Sequence, residues 1–534
     1  MFGSFRPTFT TVEKIKVSLL ILVGITAYRC IGGFINPLPF QIDEAQYVGW
    51  SHFISFGYYS KPPFIAWAVA SGQQLCSVLE IVNTEGCARF LQPIAFMVAA
   101  FGVAGTAYRL TRSTDCAMAA SLIFISTPLS GFYSLFVTTD AWLLMFWSLA
   151  LWALVLALQS RSNSIGLWLL CGILAGLGLL SKYSMAAFFL SAFCYLFVTG
   201  RLKRVGPWVG VAAALVVFSP NIFWNYANGF PTIGHHLEIS QISANHINHQ
   251  SAGDRIASAA DFLLAQFGLF GPLLFVVMLL TLRAKQSLDH SVAEHAFTAV
   301  GVDRGLVLLH LMTWGILCLA VIQAFSSRSF ANWAAPAYVS GSILVAHALV
   351  CCWGRVARFS AKFILGFSLI TGLTASTLLI HGPKALFSKT GEETYRVRAI
   401  EKLRGWRELA LGLREWVAHE SQSGSKWALL AEDRRILAAL ASYGHPDIET
   451  PFAWNPENRR DNHYNWFLDI RNQVYPNGMR FMLIRLSRSG DTSLSLPKTS
   501  GWQVLRRMDF ARLESLQVGV DGEQIVAFEI ARLP

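Results

Sequence analysis

Lys61-Pro62-Pro63-Phe64-Ile65-Ala66-Trp67-Ala68-Val69-Ala70-Ser71-Gly72-Gln73-Gln74-Leu75 decides how this chain is threaded. Taken as a membrane span, the stretch 63–82 would invert the side of every segment that follows. Taken as a helix lying in the membrane interface, it leaves them in place. The double proline at its start and Gln73-Gln74 inside it favour the interfacial reading. Charge provides the test. With the N-terminus inside, the inner loops carry Arg109 and Arg112, Arg161, Arg201/Lys203/Arg204, Arg283/Lys285/Arg304, and Arg355/Arg358/Lys362. Each inner loop then holds arginine or lysine, as cytoplasmic loops do. Promoting 63–82 to a span destroys that pattern.

Composition agrees with a membrane chain. Of 534 residues, 54% are hydrophobic and 14% charged, against about 25% charged in soluble domains. Mean hydropathy is +0.44. Stretches 15–36, 90–110, 116–134, 138–158, 164–181, 185–200, 205–222, 262–282, 305–325, 335–353 and 360–381 approach the roughly 20 apolar residues of a span, about eleven in all. The net charge of +11 is spread over the short loops, where it sets topology, so nucleic acid is not an expected partner. The N-terminus lacks a cleavage site and reads as an uncleaved anchor. All nine cysteines precede residue 353 without a metal-type spacing, and read as thiols packed in the membrane.

On this topology the outer face receives loop 37–89, the corner at Thr138-Thr139-Asp140, the corner at Ser181-Lys182-Tyr183, loop 223–261, Ser326–Trp333 and the tail. The chain divides into a membrane domain, 1–382, and an outer domain, 383–534. The tail is charged, free of cysteine, and alternates helix and strand patterns. Residues 393–419 and Arg434–Tyr443 are predicted helices; Trp427–Ala431, Phe481–Arg485, Trp502–Arg506 and Ile525–Ile530 are predicted strands. A small α/β domain of about 150 residues results.

The polar residues with chemical potential gather at the outer corners. Adjacent carboxylates such as Asp43 and Glu44 repel, and one held by a cation or metal can accept a proton from an attacking hydroxyl. The same two acids also suit the first turn of a helix beginning near Ala45. Lys61, ahead of the rigid prolines, can present an ammonium to a phosphate, or snorkel from a helix start. Asp140 opens the apolar run Ala141–Leu156, where an acid caps the helix or faces a cavity. Lys182 and Arg328 lie in outer loops, against the charge bias. With Lys61 they are suited to surround one anionic group and to stabilise a departing phosphate. Loop 223–261 carries His235, His236, His246 and His249. Their spacing matches no standard ligand set, so a divalent metal is a weak expectation resting on His235 and His236. Asn221, Trp224 and Asn225 suit contact with a sugar. No Walker loop occurs, which argues against an ATP-driven pump, and Gly176-x-Gly178 falls inside a span and is no dinucleotide fingerprint. No Gly-x-Ser-x-Gly nucleophile elbow occurs either.

Taken in order along the chain, Asp43-Glu44-Ala45-Gln46-Tyr47, Tyr59-Ser60-Lys61-Pro62-Pro63, Glu85 to Arg89, Thr138-Thr139-Asp140, Ser181-Lys182-Tyr183, Pro220 to Asn225 and Asn332-Trp333-Ala334-Ala335-Pro336 resemble the GT-C membrane glycosyltransferases. Ala431-Glu432-Asp433-Arg434-Arg435 with Tyr443 fits the outer domain of that family. The resemblance is to the protein mannosyltransferase/aminoarabinose transferase group, and within it to bacterial enzymes that decorate lipopolysaccharide. It implies a multi-pass protein of the bacterial inner membrane with a periplasmic C-terminal α/β domain. It also implies inverting transfer from a polyprenyl phosphate sugar to lipid A, core or another glycan acceptor. Asp43 would be the base, supported by Glu44. Lys61, Lys182 and Arg328 would hold the donor phosphate, with Asp140, Tyr59 and Asn225 lining the cavity. Ser60 stands where the aminoarabinose transferases commonly have a glutamate, which weakens the case for a metal. A polyprenyl-lipid or sugar transporter is the competing class. It predicts charged or broken helices near the midplane and paired halves, whereas the polar groups here cluster at one face.

Overall fold

The computed structural model describes residues 10–160, 164–240, 251–283, 302–327, 329–352, 355–387, 402–403, 405–448, 450–487, 501–508, 517–518 and 523–532. It separates into two compact units. The first draws on 10–34, 61–65 and 89–379; the second draws on 35–60, 66–88 and the chain from 380.

The first unit is helical because its sequence is apolar over lengths that cross a bilayer. Among the described residues six helices meet that test by length and composition: Thr11–Ile35, Thr84–Thr111, Thr139–Gln159, Val205–Ala227, Arg304–Ser326 and Ser360–Gly382. Thr114–Ser126, Ile165–Ser181, Tyr183–Val198 and Ala337–Cys352 are apolar but shorter, so length alone does not reach the count of eleven. The stretch 262–282, expected as one span, is instead the end of Ala252–Phe270 followed by Pro272–Leu280, bent by 108°. Gly271 adopts a φ of +99° between them, and Pro272, which has no amide hydrogen to donate, opens the second helix.

Small residues set the closest approaches. A Cβ on Gly172 would lie 2.1 Å from the Gly210 carbonyl oxygen, and one on Gly176 would lie 2.7 Å from Val217 Cβ. These contacts press Ile165–Ser181 against Val205–Ala227 through backbone rather than side chains. Between Leu91–Thr111 and Thr139–Gln159, Gly102 makes room for Ser148 and Gly105 for the Trp152 ring.

The second unit centres on a mixed six-stranded sheet. Its strands are β1 (Trp427–Ala431), β2 (Phe452–Ala453), β3 (Arg480–Ser487), β4 (Trp502–Met508), β5 (Gln517–Val518) and β6 (Glu523–Arg532). The order is β2-β1-β3-β6-β4, with β5 paired to β6. β1 runs parallel to β2 and β3, while β6 runs antiparallel to β3 and β4. Interior strands of this kind are covered on both faces, and β1 is buried from Ala428 to Ala431. One face packs Leu430, Leu483, Phe528 and Trp502 into a core with Trp454 and Phe481. The helices Trp406–Gln422 and Arg434–Tyr443 pack against one another and against β1. The first begins at Trp406 rather than near 393, and residues 388–401 lie outside the described residues.

The interfacial stretch forms a helix of 15 residues, Phe64–Val78. The thiol reading fails for two cysteines: Cys76, in the last turn of this helix, forms a disulfide with Cys87. Eleven residues separate them in sequence, and the turn between the helices brings their Cα atoms to 5.9 Å, within bridging range.

Replacing Gly172 by alanine should lower the stability of the detergent-solubilised protein by about 1–3 kcal/mol, the usual cost of overpacking. Gly24→Ala, where nothing lies within 4 Å of the new Cβ, should leave the thermal melting curve unchanged.

Candidate active site

The polar residues singled out in the sequence fall into two groups, one in each unit. In the helical unit the centre is Asp140, 3% exposed, in the first turn of Thr139–Gln159. A carboxylate there complements the helix dipole, but burial demands more. Lys182, which terminates Ile165–Ser181, places Nζ 2.8 Å from Asp140 Oδ1. Asn332 donates from Nδ2 to Asp140 Oδ2 at 2.9 Å. Three segments distant in sequence thus meet on one carboxylate, and each oxygen has a donor.

Beside them Tyr183 donates its hydroxyl to Asn221 Oδ1 at 3.0 Å, and Asn225 Nδ2 donates to the Asn221 carbonyl at 3.0 Å. Asn221 and Asn225 lie one turn apart on Val205–Ala227 and are both buried. The His236 ring stands edge-on to Tyr183 at 5.4 Å. Lys61 and Lys182 both lie close enough to act on the charge of His236. Lys61, Lys182, Asp140, Asn225 and His236 therefore belong to one neighbourhood of this unit. His235 is adjacent, its ring centroid 6.0 Å from that of His236. Among the described residues no three His, Cys, Asp or Glu side chains are placed to hold a metal ion; His246 and His249 lie outside the described residues, as does Arg328.

In the second unit the two adjacent acids have different surroundings. Their helix, Ile42–Ser51, starts at Ile42 with Gln41 as its cap, three residues earlier than expected. Glu44 is buried and accepts the Gln41 backbone N–H at 3.0 Å, which is the third-position role of a capping box. Asp43 is largely exposed and forms an ion pair with Arg434. Arg434 also donates from Nε to Gln46 Oε1 at 2.8 Å, so one guanidinium grips two side chains a helical turn apart. A Cβ on Gly49 would lie 2.8 Å from Ala441 Cβ, so glycine lets the helix seat closely on Arg434–Tyr443. Tyr443 completes the seating: its oxygen accepts the Phe40 N–H at 2.8 Å, and its hydroxyl donates to Glu85 Oε1 at 3.0 Å.

Tyr59 donates to the Arg460 carbonyl at 2.9 Å, with its ring 5.9 Å from Trp466. His463 stands among Trp50, Tyr58 and Phe467. Burial among these rings, with Arg434 nearby, holds its imidazole down to about 3. His52 stacks on His445 at 4.0 Å, and burial followed by that neighbour lowers it to about 4.

Sequence reasoning did not assign Arg434 or Asn332 a role, though both sit in stretches it had marked. Their signal was weak because each acts only through a partner far along the chain: 391 residues for Arg434 and Asp43, 192 for Asn332 and Asp140.

Comparison with known proteins adds three findings. Residues 60–224 match the family described as dolichyl-phosphate-mannose-protein mannosyltransferase. The lipid A galacturonosyltransferase RgtD of Rhizobium johnstonii is 32% identical over 349 residues, covering 65% of this chain and 68% of that protein. The structure of ArnT from Cupriavidus metallidurans bound to undecaprenyl phosphate superposes with a TM-score of 0.56 at 16% identity, covering 97% of both chains. Its apo form matches with the same score, covering 96% of this chain and 98% of that one. At that identity the likeness is one of fold.

Lys182→Met should destabilise the protein by about 3–5 kcal/mol, because it strands a buried carboxylate. The double variant Lys182→Met/Asp140→Asn should recover part of the loss in thermal melts. Acidification supplies a second measurement. The unfolded chain takes up protons on His52 and His463 near pH 6.5, while the folded unit resists until about 4 and about 3. Their contribution is complete above 6.5 and is lost as pH falls towards those values. The melting temperature should drop across that window, and His463→Phe should flatten the slope.

Proposed function

The chain belongs to the GT-C membrane glycosyltransferases related to lipid A-modifying enzymes, and from that premise we propose that it moves a sugar from a polyprenyl phosphate to lipid A or lipopolysaccharide core. It is a multi-pass membrane protein and a glycosyltransferase. The observation that carries the finer reading is the likeness to a lipid A galacturonosyltransferase across two thirds of that enzyme. A uronic acid is accordingly the proposed sugar, and the cations around His236 suit an anionic donor.

The reaction is a single displacement with inversion. The acceptor hydroxyl oxygen attacks the anomeric carbon as the bond from that carbon to the phosphate oxygen breaks. The electron pair leaves with polyprenyl phosphate, and Asp43 takes the acceptor proton. Arg434 orients that carboxylate, and Glu44, engaged in capping, keeps the helix beneath it in place. Lys61 and Lys182, with Arg328, stabilise the charge growing on the departing phosphate. Asp140 orients Lys182, while Asn225 and Tyr59 line the space for sugar and acceptor.

Topology follows the charge of the loops: N-terminus and basic loops in the cytoplasm, about eleven crossings with the shorter helices included, and the α/β domain of 383–534 in the periplasm. The membrane domain of 1–382 then presents loops 37–89 and 223–261 on the outer side. The Cys76–Cys87 disulfide supports this placement, since disulfides persist in oxidising compartments such as the periplasm.

The test is purified protein reconstituted with a radiolabelled polyprenyl phosphate sugar and lipopolysaccharide. Wild type should transfer label to the acceptor, and Asp43→Asn should lose about 10²-fold or more of the rate. Undiminished transfer by Asp43→Asn overturns the base assignment. Label that crosses sealed vesicles without a covalent product assigns the chain to transport instead.

A further inference from the structure

The same unit carries a second feature, which runs from Leu179 and Ala186, near Lys182, to the other ends of these helices. Asp140 is in the first turn of Thr139–Gln159, whereas Leu154 is fourteen residues on, a rise of about 21 Å. Leu154 lines a wholly apolar groove of about 350 Å³, together with Trp168, Ala192, Leu196, Leu202 and Trp208. The groove has a structural cause. The glycine contacts described above draw Ile165–Ser181 and Val205–Ala227 together, while Ala186–Val198 packs on Val302–Ser326. The three helices therefore leave a furrow between them.

The end of this furrow is cationic. Leu202 belongs to the turn Arg201–Lys203, and Lys203, Arg204 and Arg304 are exposed beside it. Arg201 donates from Nη1 to the Leu158 carbonyl at 2.9 Å and has the like charges of Arg204 and Arg304 nearby. A buried hydroxyl sits near this end. Tyr195 is fully buried and its hydroxyl has no hydrogen-bond partner among the described residues. It lies within the electrostatic reach of Arg201 and Arg304, one residue before the groove-lining Leu196, with its own side chain buried in the bundle rather than in the groove lining.

We propose that this groove binds an anionic phospholipid, with its phosphate on Arg204, Arg304 and the Arg201 turn and an acyl chain along the furrow. On the topology proposed above, this end faces the cytoplasmic leaflet, where anionic lipids attract such clusters. Arginine recognises phosphate through paired donors, and the lining offers the chain only apolar surface. The proposed headgroup end is at Leu202, while the furrow runs on to Leu179 and Ala186, close in sequence to Lys182; the headgroup assignment does not depend on the transferase reading.

Native mass spectrometry of the purified full chain, titrated with dioleoylphosphatidylglycerol or dioleoylphosphatidylcholine, tests the assignment. Phosphatidylglycerol should be retained at least several-fold better. Arg204→Gln and Arg304→Gln, both at exposed positions, should each weaken it about fivefold, the worth of one basic residue near a lipid surface. Ala192→Phe, which fills the groove, should weaken it as well; if that variant does not fold, the two arginine variants decide. Equal retention of the two lipids, or retention indifferent to both arginine variants, overturns the proposal. So does one-for-one displacement of phosphatidylglycerol by a polyprenyl phosphate, which would give the groove to a donor tail.

Discussion

The Asp140 carboxylate is buried at the start of a spanning helix, and Lys182 and Asn332 close on its two oxygens. In a hydrocarbon setting an ionisable side chain persists only where protein groups replace water. That requirement joins the starts and ends of helices scattered between residues 139 and 334. The tyrosine and asparagine network of Tyr183, Asn221 and Asn225 extends the same polar patch. Buried polar networks of this kind hold their members in one geometry because partial satisfaction is costly. The apolar faces of the bundle impose no comparable choice of partner.

The second unit is organised around a different constraint, the seating of Ile42–Ser51 on Arg434–Tyr443. Glycine at position 49 permits the approach, Arg434 fastens one end, and Tyr443 fastens the other through Phe40 and Glu85. Asp43 owes its orientation to a residue of the tail. Within the second unit, the tail thus supplies part of the surroundings of the proposed base.

Much of this was legible beforehand. Trp427–Ala431 and Arg434–Tyr443 follow their predicted bounds, because apolar periodicity and flanking polar residues mark short elements in a soluble-type domain well. Two-residue strands such as Phe452–Ala453 carried no such pattern and exist through pairing alone. Within the bundle, apolar composition marks helices but says little about bends. Gly271-Pro272 was visible as a pair, yet the 108° turn depends on what surrounds it. The adjacent acids show the limit most clearly. Base and cap were alternatives for the pair as a unit, and the fold divides the surroundings between them, giving Glu44 the capping contact and Asp43 the arginine.

By itself the sequence determined that the chain is a membrane protein with a mixed α/β tail, where the basic loops lie, and which polar residues stand out against an apolar background. These properties follow from composition and local periodicity, which each segment carries alone. Only the tertiary structure decided that Asp140 meets Lys182 and Asn332, that Arg434 meets Asp43, and that Cys76 and Cys87 are joined rather than free. Such pairings depend on how separate helices and turns come together in space, which no single segment carries alone.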